Sequence, residues 1–182
     1  MKQEVLLLGN TILRKKSNTV TDFEDSELKS EIIDLKDTLD AFRRENSFGR
    51  GIAAVQIGVA KRIIALNLGK GIFVIINPKI VSASKEKFTL WDDCMSLPDL
   101  FVRVERHKSI IVEYQDESGN KKTWENITQS ESELLQHEID HLNGILAVDK
   151  KIGKEDIIYK TKFFKNLKYY ESRVDYIIKS TL

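Results

Sequence analysis

The sequence predicts an α+β fold in which mostly antiparallel sheets pack around a central helix, with further helices towards each terminus. Six short runs in the middle of the chain are rich in β-branched and aromatic residues, which is typical of strands. Helical periodicity occurs before and after these runs but not between them. This order favours an α+β fold over repeated β-α-β units. The length of 182 residues fits one domain spanning 1–182.

The N-terminal helix and the strands follow from local periodicity. A helix is predicted over 26–44 because apolar residues recur there at spacings of three and four and form one stripe. The chain up to about residue 20 has no such period and is expected to be extended or irregular. A turn at 116–120 separates the last two strands. The predicted strands are 63–66, 72–77, 87–91, 101–106, 110–115 and 121–127.

Two more helices are predicted in the last third of the chain. The first covers 130–142, and overlapping capping-box patterns begin at Thr128 and Ser130. The second is a basic amphipathic helix over about 155–180, where apolar residues recur at roughly helical spacing. Residues 150–182 carry a net charge of +5 and the rest of the chain −4. We expect this helix to pack its apolar side on a sheet with its lysines in water; a basic face that docks on a partner is the alternative.

Composition excludes several classes of protein. The net charge is +1, so the chain lacks the positive excess that a dedicated nucleic-acid-binding domain presents to phosphate. No apolar run approaches the roughly 20 residues that span a bilayer, and the start of the chain has no signal-peptide pattern. The single cysteine, Cys94, rules out an internal disulfide and fits a reducing compartment. We therefore expect a cytoplasmic protein that does not associate with membranes.

Residues 137–141 read HEIDH and are the most informative stretch of the sequence. On a helix, residues four apart lie on one face about one turn apart, so His137 and His141 can reach the same metal ion. Glu138 lies about 100° further around the helix, where its carboxylate can contact a water molecule at that ion without binding the ion itself. Two imidazole ligands and a nearby base are the chemistry of the H-E-x-x-H pattern of metal hydrolases.

A catalytic site of this type normally has three protein ligands and one open position, so a third ligand is needed. The metzincin pattern would place a histidine at position 147, which is Ala147 here. Glu155 and Glu171 are candidate downstream ligands, although neither lies in a supporting motif. Cys94 is a soft ligand, but a lone cysteine between strands is more often a small buried apolar residue. The residues alone leave these alternatives open.

Three motifs occur together and in order. Residues 49–56 read GRGIAAVQ, residues 92–96 read DDCMS, and residues 136–141 read QHEIDH. This set resembles the motifs G-x-G-Φ-A-A-x-Q, E-G-C-x-S and Q-H-E-x-D-H of the peptide deformylase family, where Φ is an aliphatic residue. Members of that family are metal hydrolases that remove the N-terminal formyl group from new polypeptides. The similarity extends from about Leu13 to Lys151.

The resemblance implies a metal site and a base. Cys94, His137 and His141 would hold one divalent metal ion, with a fourth position for water. Glu138 would take the proton of the attacking water and then protonate the departing amine. The family commonly uses Fe²⁺ in the cell and accepts nickel, cobalt or zinc in preparations. Two imidazoles and one thiolate suit several of these ions, so the sequence does not choose between them.

The resemblance also implies which groups surround the substrate. Charge on the formyl oxygen would be stabilised by the metal, by the side-chain amide of Gln56 and by the backbone N–H of Met95. Gly49 and Gly51 would let the backbone approach the substrate closely, where a β-carbon would intrude. Three further polar residues could orient a metal ligand or only pair with their neighbours, and these are Arg106, Gln136 and Asp140.

Four positions depart from the family pattern. Arg50 replaces an aliphatic residue that lies against the substrate in the family, and Asp93 replaces the glycine before Cys94. Asp92 is shorter than the usual glutamate, and Phe101 lies in a region where arginine is usual. We expect Arg50 and Asp93 to affect substrate selectivity, and one hypothesis is that they pair with each other across the cleft.

The leading hypothesis is therefore metal-dependent removal of the formyl group from formyl-methionyl peptides of nascent proteins, with release of formate. The alternatives are a related amidase with another N-acyl substrate and a non-catalytic homologue that binds nascent chains or ribosomes. Glu138 and Gln56 argue against the non-catalytic alternative, because binding alone needs neither a base nor an oxyanion donor. A structural zinc domain is disfavoured because such sites usually have four protein ligands. The implied partners are formylated nascent chains and the ribosome, reached through the basic C-terminal residues, and a monomer is expected.

Overall fold

The computed structural model describes residues 1–178, and the elements below are those of the described residues. The strands are β1 (Gly51–Ala53), β2 (Ile63–Asn67), β3 (Ile72–Ala83), β4 (Lys87–Asp93), β5 (Leu100–His107), β6 (Ile110–Gln115), β7 (Lys121–Trp124) and β8 (Ile157–Tyr159). The helices are α1 (Ser26–Asn46), α2 (Gln129–Leu142), α3 (Lys160–Lys165) and α4 (Leu167–Glu171). Among residues 1–178, no helix is both long and apolar enough to cross a membrane.

The strands form two antiparallel sheets. The larger sheet has the order β1-β2-β3-β6-β7, and the smaller sheet has the order β4-β5-β8. Helix α1 packs on β2 and β3, and α2 contacts β1 of the larger sheet and β5 of the smaller one. The predicted α+β class, with antiparallel sheets around a central helix, is confirmed.

Helix α1 begins and packs as its sequence predicts. The side chain of Asp25 accepts a hydrogen bond from the backbone N–H of Glu27, which satisfies one of the free donors of the first turn. Leu28, Leu35 and Leu39 are buried in the apolar cluster beneath the helix. The apolar stripe therefore fixes which face of α1 contacts the larger sheet.

Helix α2 lies between the two sheets and binds to each in a different way. Thr128 and Glu131 form the predicted capping box at its start. Leu135 and Ile139 are buried in the apolar cluster of the larger sheet. On its other side, the amide of Gln136 accepts from the backbone N–H of His107 and donates to its carbonyl oxygen, both at 2.9 Å. Gln136 therefore attaches α2 to the end of β5.

Two three-residue strands, β1 and β8, were not predicted; β6 has its predicted bounds, β2, β4 and β5 differ from theirs by one or two residues, and β3 and β7 differ by more. β3 extends to Ala83 because its pairing with β6 resumes after a register shift that follows Asn77, where φ is 54°. β7 ends at Trp124 rather than at 127, since Asn126 has a φ of 53° and turns the chain out of the sheet.

The prediction of one basic helix over 155–180 is wrong over the described residues; residues 179 and 180 lie outside them. Residues 157–159 form β8 because the free edge of β5 offers them backbone partners. Asn166 has φ −131° and ψ 41°, which interrupts the helical path between α3 and α4. After α4 the chain runs alongside β4, where the backbone N–H of Tyr176 donates to the carbonyl oxygen of Thr89. The apolar residues of this segment thus pack through three short elements instead of one long helix face.

The buried face of α1 gives a stability prediction. Leu35→Ala, at a fully buried position, is expected to lower the free energy of unfolding by about 2–5 kcal/mol, because it removes apolar contacts and leaves a cavity. The matched control is Ile33→Ala on the same helix, where the side chain is 56 % exposed and the change should stay within about 0.5 kcal/mol. Urea denaturation of both variants measures the difference, and equal losses would contradict the packing described for α1.

Candidate metal centre

Three donor side chains meet between the end of β4 and helix α2. Cys94 directly follows β4, and His137 and His141 lie one turn apart on α2; all three are buried. Sγ of Cys94 is 3.3 Å from Nε2 of His141, and that atom is 3.1 Å from Nε2 of His137. Tetrahedral coordination with bonds of about 2.0–2.3 Å separates donor atoms by about 3.3–3.6 Å. Two imidazole nitrogens and one sulfur at these distances fit a divalent first-row metal ion.

A chain of charged side chains orients His137. Its Nδ1 is 3.0 Å from Oδ2 of Asp92; because a carboxylate only accepts, Nδ1 carries the proton and Nε2 keeps its lone pair. Arg106 donates to Asp92 at 2.9 Å and pairs with Asp140, which also lies 3.0 Å from Nζ of Lys150. Burial alone would raise the pKa of Asp92, but the neighbouring His137 and Arg106 lower it below its usual value. Asp92 therefore remains a carboxylate beneath the imidazole.

The carboxylate of Glu138 packs against the backbone of β1. A β-carbon built on Gly51 would lie 2.8 Å from Oε1 of Glu138, so a larger residue there would displace this carboxylate from its present position. Glu138 is buried, and its Oε2 has no hydrogen-bond partner within residues 1–178. Burial raises the pKa of Glu138 to about 7. A buried acceptor of this kind is costly unless water or a ligand satisfies it, which suits a group that meets a substrate.

Gln56 directs its amide nitrogen towards the metal centre. Its Oε1 accepts from the backbone N–H of Ala53 at 2.9 Å, which fixes the orientation of the amide. Nε2 then lies 3.1 Å from Oγ of Ser96 and 3.8 Å from Sγ of Cys94. The N-terminal segment donates backbone hydrogen bonds to the carbonyl oxygens of both Gln56 and Ser96. A hydrogen-bond donor is thus held beside the thiol.

Gly49 and Met95 pack against each other at the rim of the site. Gly49 has a φ of +109°, a conformation that residues with a β-carbon rarely adopt. A β-carbon there would also lie 2.8 Å from Cε of Met95 and 3.0 Å from the ring of Phe42. Glycine at this position is therefore required both by backbone conformation and by space.

A cavity of about 440 Å³ opens beside these groups. It is lined by all the proposed ligand, base, oxyanion and substrate-contacting residues except His141, which is 1 % exposed; Arg106, Gln136, Asp140 and Glu155 do not line it. The structure therefore brings together in one place the three motifs, which are separated by up to 80 residues of sequence. A pocket of this volume with a few convergent polar groups is typical of a small-ligand or substrate site.

Arg50 and Asp93 do not pair with each other, so the hypothesis of a pair across the cleft is wrong. Arg50 donates to Oγ of Ser130 at 2.9 Å and forms a buried ion pair with Glu133, both on α2. Asp93 pairs with Lys160 of α3, with Nζ 2.6 Å from Oδ1. The charges of Arg50 and Asp93 are thus each compensated by a nearby residue, Glu133 and Lys160 respectively, and not by each other. Burial raises the pKa of Glu133 although Arg50 opposes this shift.

Sequence reasoning missed four contributors to the site. Asp92 was noted only as a departure from a motif, although it holds His137. Glu133 lies one helical turn before His137, a spacing that could have indicated it. Lys160 has no signal in the sequence, because its contact with Asp93 depends on the path of the C-terminal segment. The same is true of Phe163, whose ring centroid is 4.7 Å from that of Phe101.

A buried Cys-His-His cluster, a carboxylate on the same helix and an amide donor beside the thiol together define the class of H-E-x-x-H metal hydrolases. Comparison with known proteins gives the family. The family model described as polypeptide deformylase matches residues 2–156. The chain belongs to the polypeptide deformylase family, whose members are metal-dependent hydrolases that deformylate nascent peptides.

Individual relatives agree with this assignment. The chain is 40 % identical over 147 residues to the peptide deformylase of Heliobacterium modesticaldum, covering 81 % of this chain and 92 % of that protein. It is 34 % identical over 158 residues to that of Thermotoga sp. strain RQ2, covering 87 % and 92 %. The crystal structure of the Thermotoga maritima peptide deformylase superposes with a TM-score of 0.75 at 33 % identity, over 84 % of this chain and 99 % of that one. The Legionella pneumophila peptide deformylase gives a TM-score of 0.74 at 31 % identity, over 95 % and 97 %.

The contact between Asp92 and His137 gives a prediction about metal affinity. Asp92→Asn is expected to weaken binding of Ni²⁺ or Co²⁺ by about 10–100-fold, because the imidazole loses the carboxylate that fixes its tautomer and raises its basicity. The measurement is competition with a chelator of known affinity.

The matched control for this prediction is Asp156→Asn. Like Asp92, Asp156 is a buried carboxylate in an ion pair. It lies 2.9 Å from Arg103 and 3.2 Å from Arg173, outside the metal centre. We expect this variant to lose stability and to keep its metal affinity. If Asp92→Asn bound metal as tightly as Asp156→Asn, Asp92 would have no role in orienting His137.

Proposed function

We propose that this chain hydrolyses the formamide bond of N-formylated peptides and releases formate, with Cys94, His137 and His141 as metal ligands and Glu138 as the base. The observation that carries the proposal is the buried carboxylate of Glu138, whose Oε2 lacks a partner within residues 1–178 and which lines the same cavity as two of the three metal donors. The function of the family supports the same reaction.

The proposed roles of the side chains follow from their contacts. Cys94, His137 and His141 would hold a divalent ion, and its positive charge would polarise the formyl carbonyl and lower the pKa of a bound water molecule. Glu138 accepts the proton of the attacking water at its carboxylate as the bond from water oxygen to formyl carbon forms. The same proton then passes to the amine nitrogen as the C–N bond breaks, which leaves formate and a free N-terminus.

Gln56 and Met95 are proposed to stabilise the formyl oxygen. The hydrogen bond between Oε1 of Gln56 and the backbone N–H of Ala53 orients the amide. One hydrogen of Nε2 is donated to Oγ of Ser96, and the other, directed towards Cys94, is the one proposed to meet the formyl oxygen. The backbone N–H of Met95 is the second proposed donor. Loss of one such donor typically costs about 3–4 kcal/mol of transition-state stabilisation. Gly49, Arg50, Gly51 and Asp93 are proposed to border the bound peptide, because all four line the cavity.

We propose Fe²⁺ as the metal used in the cell, with nickel, cobalt or zinc as substitutes in preparations. A buried thiol beside two imidazole nitrogens accommodates all of these ions. A ferrous site with a thiolate ligand is sensitive to oxidation of the metal and of Cys94, so preparation under exclusion of air is appropriate.

The proposed substrates are formylated nascent polypeptides in the cytoplasm, with the protein acting as a monomer. Contact with the ribosome through the C-terminal segment is part of this proposal. Its support is the exposure of Lys162, Lys165 and Lys168, whose charges are free to meet ribosomal RNA.

A second candidate is hydrolysis of a different small N-acyl group on the same scaffold. The buried Arg50–Glu133 pair favours it, because these charged side chains line the cavity where the family has an aliphatic residue. Comparison of formyl-methionyl, acetyl-methionyl and propionyl-methionyl peptides distinguishes the two candidates, since only the first yields formate.

Substitution of the base is the test of the proposed function. Nickel-loaded Glu138→Ala and Glu138→Gln are expected to release formate from a formyl-methionyl peptide about 10²–10⁴-fold more slowly than the unaltered protein, because neither side chain accepts the proton of water. Bound nickel, measured by elemental analysis, should remain at one ion per chain. Full turnover by either variant, or no turnover by the unaltered metal-loaded protein, would contradict the proposal.

The contact between β1 and Glu138 gives a second test. Gly51→Ala is expected to lower kcat by about 10–100-fold, because the new β-carbon displaces the Glu138 carboxylate from its position. The matched control is Gly153→Ala, where a β-carbon would likewise meet a carboxylate, Oδ2 of Asp156 at 2.9 Å, but outside the cavity. Formate release, metal content and thermal melting are measured on both. Equal effects on kcat would show that the Gly51 variant acts through general destabilisation.

A further inference from the structure

The cavity beside the metal centre extends to a part of the chain that the family match does not cover. That match ends at residue 156. Phe163 and Phe164 of α3 and Leu167 of α4 nevertheless line the same cavity as Glu138. We refer to α3 and α4, residues 160–171, as the C-terminal wall.

Contacts with the smaller sheet hold the C-terminal wall in a fixed position relative to the metal centre. Nζ of Lys160 is 2.6 Å from Oδ1 of Asp93, which directly precedes the ligand Cys94. Further along the wall, the indole N–H of Trp91 donates to the carbonyl oxygen of Tyr170 at 2.8 Å. Because both partners of the wall belong to β4, the wall and the metal centre share one rigid support.

The cavity-facing surface of the wall is mostly apolar: Phe163, Phe164 and Leu167 line the cavity together with one acidic residue, Glu171. Phe164 is 63 % exposed and Leu167 is 40 % exposed, although both border the cavity. The volume of about 440 Å³ falls in the range of sites that hold drug-sized ligands, which is more than one formylated residue requires. Apolar side chains of a ligand would lose contact with water on this surface, and such burial is favourable.

The natural occupant of this surface is the remainder of the substrate. A formylated residue is the first residue of its peptide, so the rest of the peptide must lead away from the metal centre. We propose that the C-terminal wall binds the residues that follow the formylated residue and that it favours apolar side chains there. This inference rests on the proposed function, because that function places the formyl group beside Glu138.

The experiment compares two peptides of equal length, formyl-Met-Leu-Leu-amide and formyl-Met-Ser-Ser-amide, with the nickel-loaded protein. We expect kcat/KM for the leucine peptide to exceed that for the serine peptide by about tenfold. The variants Phe164→Ser and Leu167→Ser should each reduce this ratio towards one, because they lower kcat/KM for the leucine peptide more than for the serine peptide. Both side chains are exposed, so the variants are expected to fold, which melting curves verify.

The matched control is Tyr169→Ser. Tyr169 lies on α4 and is 59 % exposed, but it does not line the cavity, so this variant should keep the full preference. An unaltered preference in the Phe164 and Leu167 variants, or an equal loss in the Tyr169 variant, would overturn the proposal while the proposed deformylation stands.

A measurement of binding separates failure of the wall from failure of the proposed function. Calorimetry with the unformylated peptides Met-Leu-Leu-amide and Met-Ser-Ser-amide requires no turnover, and the same tenfold preference is expected. If the protein hydrolysed neither formylated peptide, this affinity ratio would still decide the role of the wall.

Light scattering gives a further outcome: a dimer that Phe164→Ser converts to a monomer would identify the wall as a contact between two copies of this chain and overturn the proposal.

Discussion

The site depends on one constraint, which is that α2 must lie at a fixed distance from the end of β4. The proposed metal donors are divided between these two elements, and Arg106 on β5 joins them by pairing with Asp92 on β4 and Asp140 on α2. A buried guanidinium is costly unless its charge is compensated, so both carboxylates are needed where they are. The hydrogen bonds of Gln136 with the backbone of His107 also attach α2 to β5, here through neutral groups. The polar face of α2 thus fixes the position of the helix relative to the smaller sheet, and its apolar face stabilises the fold.

The residues that depart from the family pattern have partners that compensate for them. Arg50 introduces a charge into the cavity wall, and Glu133 neutralises it. Asp93 introduces a charge of the opposite sign beside the metal centre, and Lys160 neutralises that one. Replacing Arg50 alone would leave Glu133 buried and unpaired. The effect of Arg50 on selectivity can therefore be measured only when Arg50 and Glu133 are replaced together. Each of these two charges is therefore balanced by an opposite charge within the site.

Local sequence signals predicted α1, α2 and most strands, because periodicity and capping act over a few residues. The spacing of His137 and His141 likewise needed only the geometry of one helix. β1 and β8 could not be predicted, since three residues have too little periodicity and each strand forms only because a partner edge is present. The 155–180 helix was overpredicted for the converse reason: its apolar residues pack against Trp91 and the smaller sheet, and these tertiary contacts override the helical spacing.

The residues proposed for catalysis and those proposed for selectivity lie in different parts of this chain. The proposed ligands, base and oxyanion donors lie within three motifs of the matched region, and small displacements of any of them would disturb the geometry on which catalysis depends. The C-terminal wall borders the same cavity from outside that region, and its candidate ligand Glu171 is not part of the cluster of Cys94, His137 and His141. Its cavity-facing side chains can therefore change without altering the ligand set. Because the wall is attached to β4 through Lys160 and Trp91, such changes would alter which peptides bind and leave the reaction of the formyl group intact.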